Sequence, residues 1–145
     1  LLRVLLADDC AAFRSVLREY LLLFPLDFSL TAEACDGHEV VKWAQLTNPD
    51  VIVVDVKMPG IDGLEAVRLL RASGLQSNII VCTSFDSEEV LAQALEAGAD
   101  AYLKKPIDFG GLGDLMKRGR RDPVLSIQSN HCGSVTRITM GTVEI

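Results

Sequence analysis

Short apolar runs alternate with longer amphipathic stretches along most of this chain, and that alternation limits the fold more than any single residue does. "RVLLA" (3–7), "FSLTAEA" (28–34), "DVIVVD" (50–55), "NIIVCTS" (78–84) and "DAYLK" (100–104) have the length and composition of strands. The stretches between them read as helices. Phe13, Val16, Leu17, Tyr20, Leu21 and Phe24 recur at helical spacing until Pro25 stops the pattern. "HEVVKWAQL" follows Asp36 and Gly37 and closes at Asn48 and Pro49. Asp62 is placed to cap "GLEAVRLLRASG", and Ser87 to cap "EEVLAQALEAG", with Gly74 and Gly98 at the far ends. "DFGGLGDLMKRG", after Pro106, spells a poor fifth helix because Gly110, Gly111 and Gly113 interrupt it.

Five strand–helix repeats with helix-length crossovers predict an α/β fold, a parallel sheet with helices on both faces. A flavodoxin-like strand order of 2-1-3-4-5 and a half-Rossmann sheet both fit that count. The Rossmann form needs a glycine fingerprint after the first strand, and this chain has "ADDCAAF" there. At 145 residues, 49% apolar and 23% charged, the chain has room for one domain with a real core. A formal charge of -6 argues against nucleic-acid binding by the surface as a whole, and none is expected of residues 1–121. "KRGRR" (117–121) reads as a solvated boundary to a linker. No apolar run reaches membrane-spanning length, and "LLRVLLA" at the start is too short for a signal peptide. Cys10, Cys35 and Cys82 lie in or beside apolar stretches and share no CxxC spacing with Cys132, which predicts buried free thiols and a cytoplasmic setting. The chain opens without Met, as expected of a piece of something longer.

Ligands of an open parallel sheet bind beyond the carboxyl ends of its strands. Strand one ends in Asp8 and Asp9, strand three in Asp55, strand four in Thr83 and Ser84, and strand five in Lys104 and Lys105. If strands one and three are neighbours, three carboxylates converge, and a hard divalent cation with oxygen ligands relieves their repulsion. These groups describe a Mg²⁺ site beside a carboxylate, Asp55, that could attack phosphorus to form an acyl phosphate. For Asp8 and Asp9 taken alone, helix capping is an equal reading. Phe13 and Trp43 read as packing groups, and His38 and His131 as solvated side chains.

An acidic pair after strand one, "DVKMPGIDG" after strand three, Thr after strand four and "YLKKP" at strand five, in that order, resemble the receiver domain of bacterial two-component response regulators, the CheY-like family. The resemblance covers about residues 2–118. It implies a doubly wound, five-stranded parallel sheet of order 2-1-3-4-5, of which CheY is itself a type example. It implies that Asp55 is the phosphoacceptor, that Asp9 binds Mg²⁺ directly with Asp8 as its partner, and that Lys57 offers its backbone carbonyl to the metal. Thr83 matches the switch hydroxyl, Tyr102 the switch aromatic, and Lys105 the lysine that contacts the phosphoryl group. Pro59 and Gly60 shape the turn after Asp55, and Pro106 follows a Lys–Pro bond that is usually cis in the family. Lys104 faces the other way in the strand's alternation.

The resemblance implies a sensor histidine kinase or phosphotransfer protein as partner. A homodimer and a downstream output domain are further expectations. It also implies a switch rather than an enzyme, with at most self-phosphorylation from small donors and slow self-dephosphorylation. Two other classes compete. A pseudo-receiver would keep the fold as an interaction module without using phosphate. An aspartyl-nucleophile phosphatase wants a second acid two residues past the nucleophile, where this chain has Lys57. Residues 1–121 are expected to form the receiver domain. Residues 122–145 are expected to be a tail, a linker or a fragment of an output region, with one or two strands around "NHCG" or none.

Overall fold

The computed structural model describes residues 1–84 and 87–120, together with the backbone of residues 124–129 and 135–139. The strands are β1 (Leu2–Ala7), β2 (Phe28–Ala34), β3 (Val51–Val54), β4 (Asn78–Thr83), β5 (Ala101–Lys104), β6 (Val124–Ser129) and β7 (Val135–Thr139). The helices are α1 (Ala11–Leu22), α2 (Gly37–Thr47), α3 (Gly63–Ala72), α4 (Glu88–Ala97) and α5 (Phe109–Arg118). The first five strands are parallel and lie in the order β2-β1-β3-β4-β5. This is the doubly wound, CheY-like topology that the sequence predicted.

The sheet does not end at β5. β6 pairs with it in parallel, and β7 pairs with β6 antiparallel. Two strands flanking residues 130–134 were one of the readings left open for this segment; residues 130–134 themselves, including His131 and Cys132, lie outside the described residues. The glycine-rich α5 therefore serves as the crossover between two parallel strands, and at 10 residues it is as long as α3 and α4. It tolerates its glycines because one of them is needed: a β-carbon on Gly113 would run into the Tyr20 hydroxyl of α1. Packing against α1 decides the helix where intrinsic propensity is weak.

Alternation along the strands divides the core in two. Leu5, Ile52, Val54, Ile79, Val81 and Tyr102 pack on one face with Val40, Leu64, Val67, Leu70 and Ala94 of α2, α3 and α4. Val4, Leu6, Val51, Val53, Ile80 and Leu103 pack on the other with Leu17, Leu21, Leu112, Leu115 and Met116 of α1 and α5. Asp62 and Ser87 cap α3 and α4 as their positions predicted, and Asp36 caps α2 in the same way, each accepting a hydrogen bond from the backbone N–H three residues on. The stripe assigned to α1 is only partly buried, since Val16 and Phe24 are exposed.

The cysteine expectation is corrected. Cys82 is buried, whereas Cys10 and Cys35 are exposed because both sit just past strand ends and not within strands. All three are free thiols, and burial pushes that of Cys82 up to about 12. The basic run at 117–121 is also more engaged than a solvated boundary implies. Lys117 pairs with Asp27 at 3.3 Å, and Arg120 pairs with buried Asp100 at 3.0 Å. Arg71 reaches the same carboxylate at 2.7 Å and donates to the carbonyls of Leu75, Ser77 and Gly98, closing the end of the sheet opposite the strand-end acids. Among the described residues no helix is long and apolar enough to cross a membrane.

Candidate functional site

Three parallel strands stop at one level and deliver the acids. The Asp55 amide donates to the carbonyl of Ala7, and the Asp8 amide to that of Ala34, so β1, β2 and β3 stay paired up to the first acidic residue. Beyond β4, the amide of Lys105 donates to the carbonyl of Thr83, which sets the lysine at the same rim. The Lys105–Pro106 peptide is cis. Carboxylate oxygens of Asp8, Asp9 and Asp55 come within 4.8 Å of one another. Asp55 also borders a cleft of about 320 Å³ with Asp9, Lys57, Thr83 and Ser84.

The members of this site differ in their surroundings. Asp8 is buried with both oxygens engaged: Oδ1 accepts from the Cys10 amide at 2.8 Å, and Oδ2 from Lys105 Nζ at 2.6 Å. Arg14 Nη1 donates to the Asp8 carbonyl at 2.6 Å, which steadies the acidic turn from α1. Asp9 and Lys57 are exposed at the mouth. Asp55 is buried, and its Oδ2 lies 3.5 Å from Lys105 Nζ. Its Oδ1 is buried without a hydrogen-bond partner among the described residues.

Burial holds the Asp55 carboxyl above the usual carboxylate range. Lys105 opposes that shift, Asp8 adds to it, and hydrogen bonds from Thr83 and the Val56 amide work against it. For Lys105, burial works against the charge, but its hydrogen bond to Asp8 and the two neighbouring carboxylates outweigh it, so the ammonium is stabilised. The site thus pairs one well-held cation with an excess of carboxylate oxygens. A buried carboxylate oxygen without a donor, beside two further acids, fits a hard cation with oxygen ligands. A second acidic group at Cys35, Asp36 and Glu39 differs, because its members already bond one another: Glu39 accepts from the Cys35 amide and thiol, and Asp36 from the Glu39 amide.

The structure brings Asp8, Asp9, Asp55, Lys57, Thr83 and Lys105 together at this end of the sheet. Tyr102 lies apart from the acids, buried within the sheet between β4 and β6 and packed in the core on the α2–α4 face. Lys104 falls in the alternation of Tyr102, and Lys105 in that of Leu103. Pro59 and Gly60 form the exposed turn after Asp55, with Gly60 at a φ of 77°. The Pro59 carbonyl accepts from the Gly37 amide at 3.3 Å and ties this turn to α2.

Two neighbours of the site were not singled out in the sequence. Gly63 packs against the backbone of Asp55 so closely that a β-carbon there would strike the Asp55 carbonyl. Its signal was present, since "DG" opens both α2 and α3. Phe13 was read as packing, yet its ring centroid lies 4.0 Å from Lys105 Nζ. No local pattern announces a contact between residues so far apart in sequence.

A doubly wound five-stranded parallel unit with an acidic cluster and a lysine at the carboxyl ends of its strands defines a class of signalling module. The family model for the response regulator receiver domain matches residues 4–117, and the chain belongs to that family. Membership makes residues 4–117 a receiver domain of the kind used in two-component phosphorelay signalling. An uncharacterized transcriptional regulatory protein of Bacillus subtilis, YxjL, is 38% identical over 104 residues, which cover 72% of this chain and 47% of that protein. A protein-glutamate methylesterase/protein-glutamine glutaminase of Nocardioides is 32% identical over a match that covers 99% of this chain and 42% of that protein. Among solved structures, the signal receiver domain of a response regulator NarL from Mycobacterium tuberculosis superimposes with a TM-score of 0.75 at 28% identity, covering 80% of this chain and 96% of that one. The chain spans about half the length, or less, of these two curated relatives.

Proposed function

We propose that this chain is a phosphoacceptor switch in which Asp55 receives a phosphoryl group from the phosphohistidine of a sensor kinase or phosphotransfer protein. The observation that carries this reading is the pairing of Lys105 with both Asp8, at 2.6 Å, and Asp55, at 3.5 Å, beside a buried Asp55 oxygen that lacks a donor. An ionised oxygen of Asp55 attacks phosphorus in line as the bond from phosphorus to the imidazole nitrogen breaks. The electron pair leaves with the imidazole, and an acyl phosphate remains on Asp55. Lys105 binds a phosphoryl oxygen and neutralises part of its charge, and the Thr83 hydroxyl donates to another.

Mg²⁺ is the cation that fits this set of oxygens, with Asp8, Asp9, Asp55 and the Lys57 carbonyl to hold it; when bound it supplies positive charge against the phosphoryl oxygens. The new acceptor oxygens draw Thr83 inward. Tyr102, in the adjoining strand, repacks in response and alters the surface near β4 and β5. Pro106 and the turn at Pro59 and Gly60 hold the frame in which this happens. Residues 1–121 constitute the receiver, and residues 122–145 connect it to an output region. The greater lengths of YxjL and the methylesterase support that division, and their different names leave the kind of output open.

Incubation with Mg²⁺ and acetyl phosphate, followed by intact-mass measurement, tests the assignment. The protein gains one phosphoryl mass and Asp55→Asn gains none. No gain in the unsubstituted protein, or an equal gain in Asp55→Asn, rejects it. A chain that neither gains mass nor responds to millimolar Mg²⁺ is a pseudo-receiver.

A further inference from the structure

Among the described residues, the Lys105 ammonium meets two acids and one aromatic ring. The ammonium also rests over the face of Phe13, 4.0 Å from the ring centroid. Phe13 stands in the first turn of α1, which begins two residues after the acidic pair. Lys42 over Trp43 at 4.9 Å, and Lys117 over Phe28 at 5.8 Å and over Phe24 at 6.0 Å, are looser contacts of this type, and both of those lysines are exposed. Lys105 is half-buried, where a ring face competes well with water for a cation.

A lysine side chain is long and flexible, and two carboxylates do not determine where its ammonium lies. Asp8 alone, at 2.6 Å against 3.5 Å for Asp55, would draw it away from the nucleophile. An apolar groove lined by Phe13, Val16, Pro106, Ile107 and Phe109 opens beside it and offers a path outward. The Phe13 ring forms part of the wall of that groove, next to the ammonium. Resting on the reading of Asp55 as phosphoacceptor, we propose that Phe13 is a positioning residue for phosphoryl transfer. Its ring face keeps the Lys105 ammonium desolvated on one side and aimed at the Asp55 carboxylate.

Replacing Phe13 with mono-, di- and trifluorinated phenylalanine weakens the ring's negative face while nearly preserving its shape. The rate of phosphorylation from acetyl phosphate falls with each fluorine, and Phe13→Leu loses about three- to tenfold while Phe13→Tyr retains most of the rate. In a Lys105→Ala background the fluorine series becomes flat, because the cation it acts through is gone. By NMR, the ε-methylene protons of Lys105 are shifted upfield by the ring, and Phe13→Leu returns them to ordinary values. That arm needs no phosphorylation. Unchanged ε-methylene shifts in Phe13→Leu overturn the proposal, as does a rate indifferent to fluorination or a slope that persists without Lys105. Failure of the unsubstituted protein to gain phosphate overturns the phosphoacceptor reading, and this role with it, while the NMR arm still reports whether the contact exists.

Discussion

Lys105 closes on Asp8 across 97 residues of sequence, with Nζ at 2.6 Å from Oδ2. The same ammonium lies farther from Asp55, so in this state the lysine belongs more to the acidic pair than to the nucleophile. It serves two ends of one charge cluster.

Removal of that charge separates cation binding from switching. Lys105→Ala leaves Asp8, Asp9 and Asp55 in place, so Mg²⁺ binds as well or more tightly in a fluorescence titration of Trp43. Phosphorylation slows by about tenfold or more, and the response of Thr83 and Tyr102 to beryllofluoride weakens in NMR spectra. Lys104→Ala, on the other face, changes little. The reverse outcome for the two variants would move the site by one residue.

Gly63 offers a steric test of how tightly the nucleophile's backbone is held. A β-carbon there meets the Asp55 carbonyl, so Gly63→Ala destabilises by about 2 kcal/mol or more and slows phosphorylation as well. Gly74→Ala is the comparison. Its φ of 91° makes alanine strained, but no atom lies within 4 Å, and the expected cost is about 1 kcal/mol with phosphorylation unaffected. Urea unfolding gives the stabilities, and equal losses at the two sites count against the contact at Gly63.

At the opposite end of the sheet, Arg71→Ala strips three carbonyls of a donor and leaves the Asp100 carboxylate, 8% exposed, with Arg120 and the Ile79 amide as its partners among the described residues. Loss of one member of a buried pair predicts about 3 kcal/mol of destabilisation in urea unfolding. Phosphorylation of the folded fraction is unchanged, since this network does not touch the acidic site. A stability equal to that of the unsubstituted protein refutes the role given to Arg71.

Glu33 supplies a pH-dependent term. Its hydrogen bond with Arg18, together with Arg14, holds its carboxyl below the ordinary value of 4.5 against the opposing effect of burial. A depressed folded-state pKa stabilises above the unfolded value and is lost as pH falls through the folded one. The thermal midpoint of the unsubstituted protein therefore exceeds that of Glu33→Gln at pH 7, and the gap closes in acid, below pH 4.5. Both arginines are partly solvated, so added salt narrows the gap at pH 7. A gap that is independent of pH excludes this origin.

Much of the fold was legible because its signals are local. A period of two in the strands, helical spacing between them and capping residues at Asp62 and Ser87 all act within a few residues of chain. The acids stood out for the same reason: each interrupts an apolar run, and a parallel sheet brings the ends of such runs to one rim. Lys105 was separable from Lys104 by its place before Pro106 in the family's pattern, with strand alternation putting Lys104 on the other face. Where the readings went astray, neighbours in space overrode neighbours in sequence. Cys10 and Cys35 adjoin apolar runs yet stand outside them, and α5 forms despite its glycines because α1 needs one of them close.

The sequence by itself determined the alternation of elements, the parallel sheet and the residues at its carboxyl rim, since side-chain periodicity and chain connectivity suffice for these. Only the tertiary structure decided which charges meet. The preference of Lys105 for Asp8, the unpartnered Oδ1 of Asp55 and the ring of Phe13 under the ammonium depend on how α1 and β5 approach across the sheet. Such approaches are set by the packing of a whole core, and electrostatic interaction at 3 to 4 Å changes steeply with distances that no local pattern encodes.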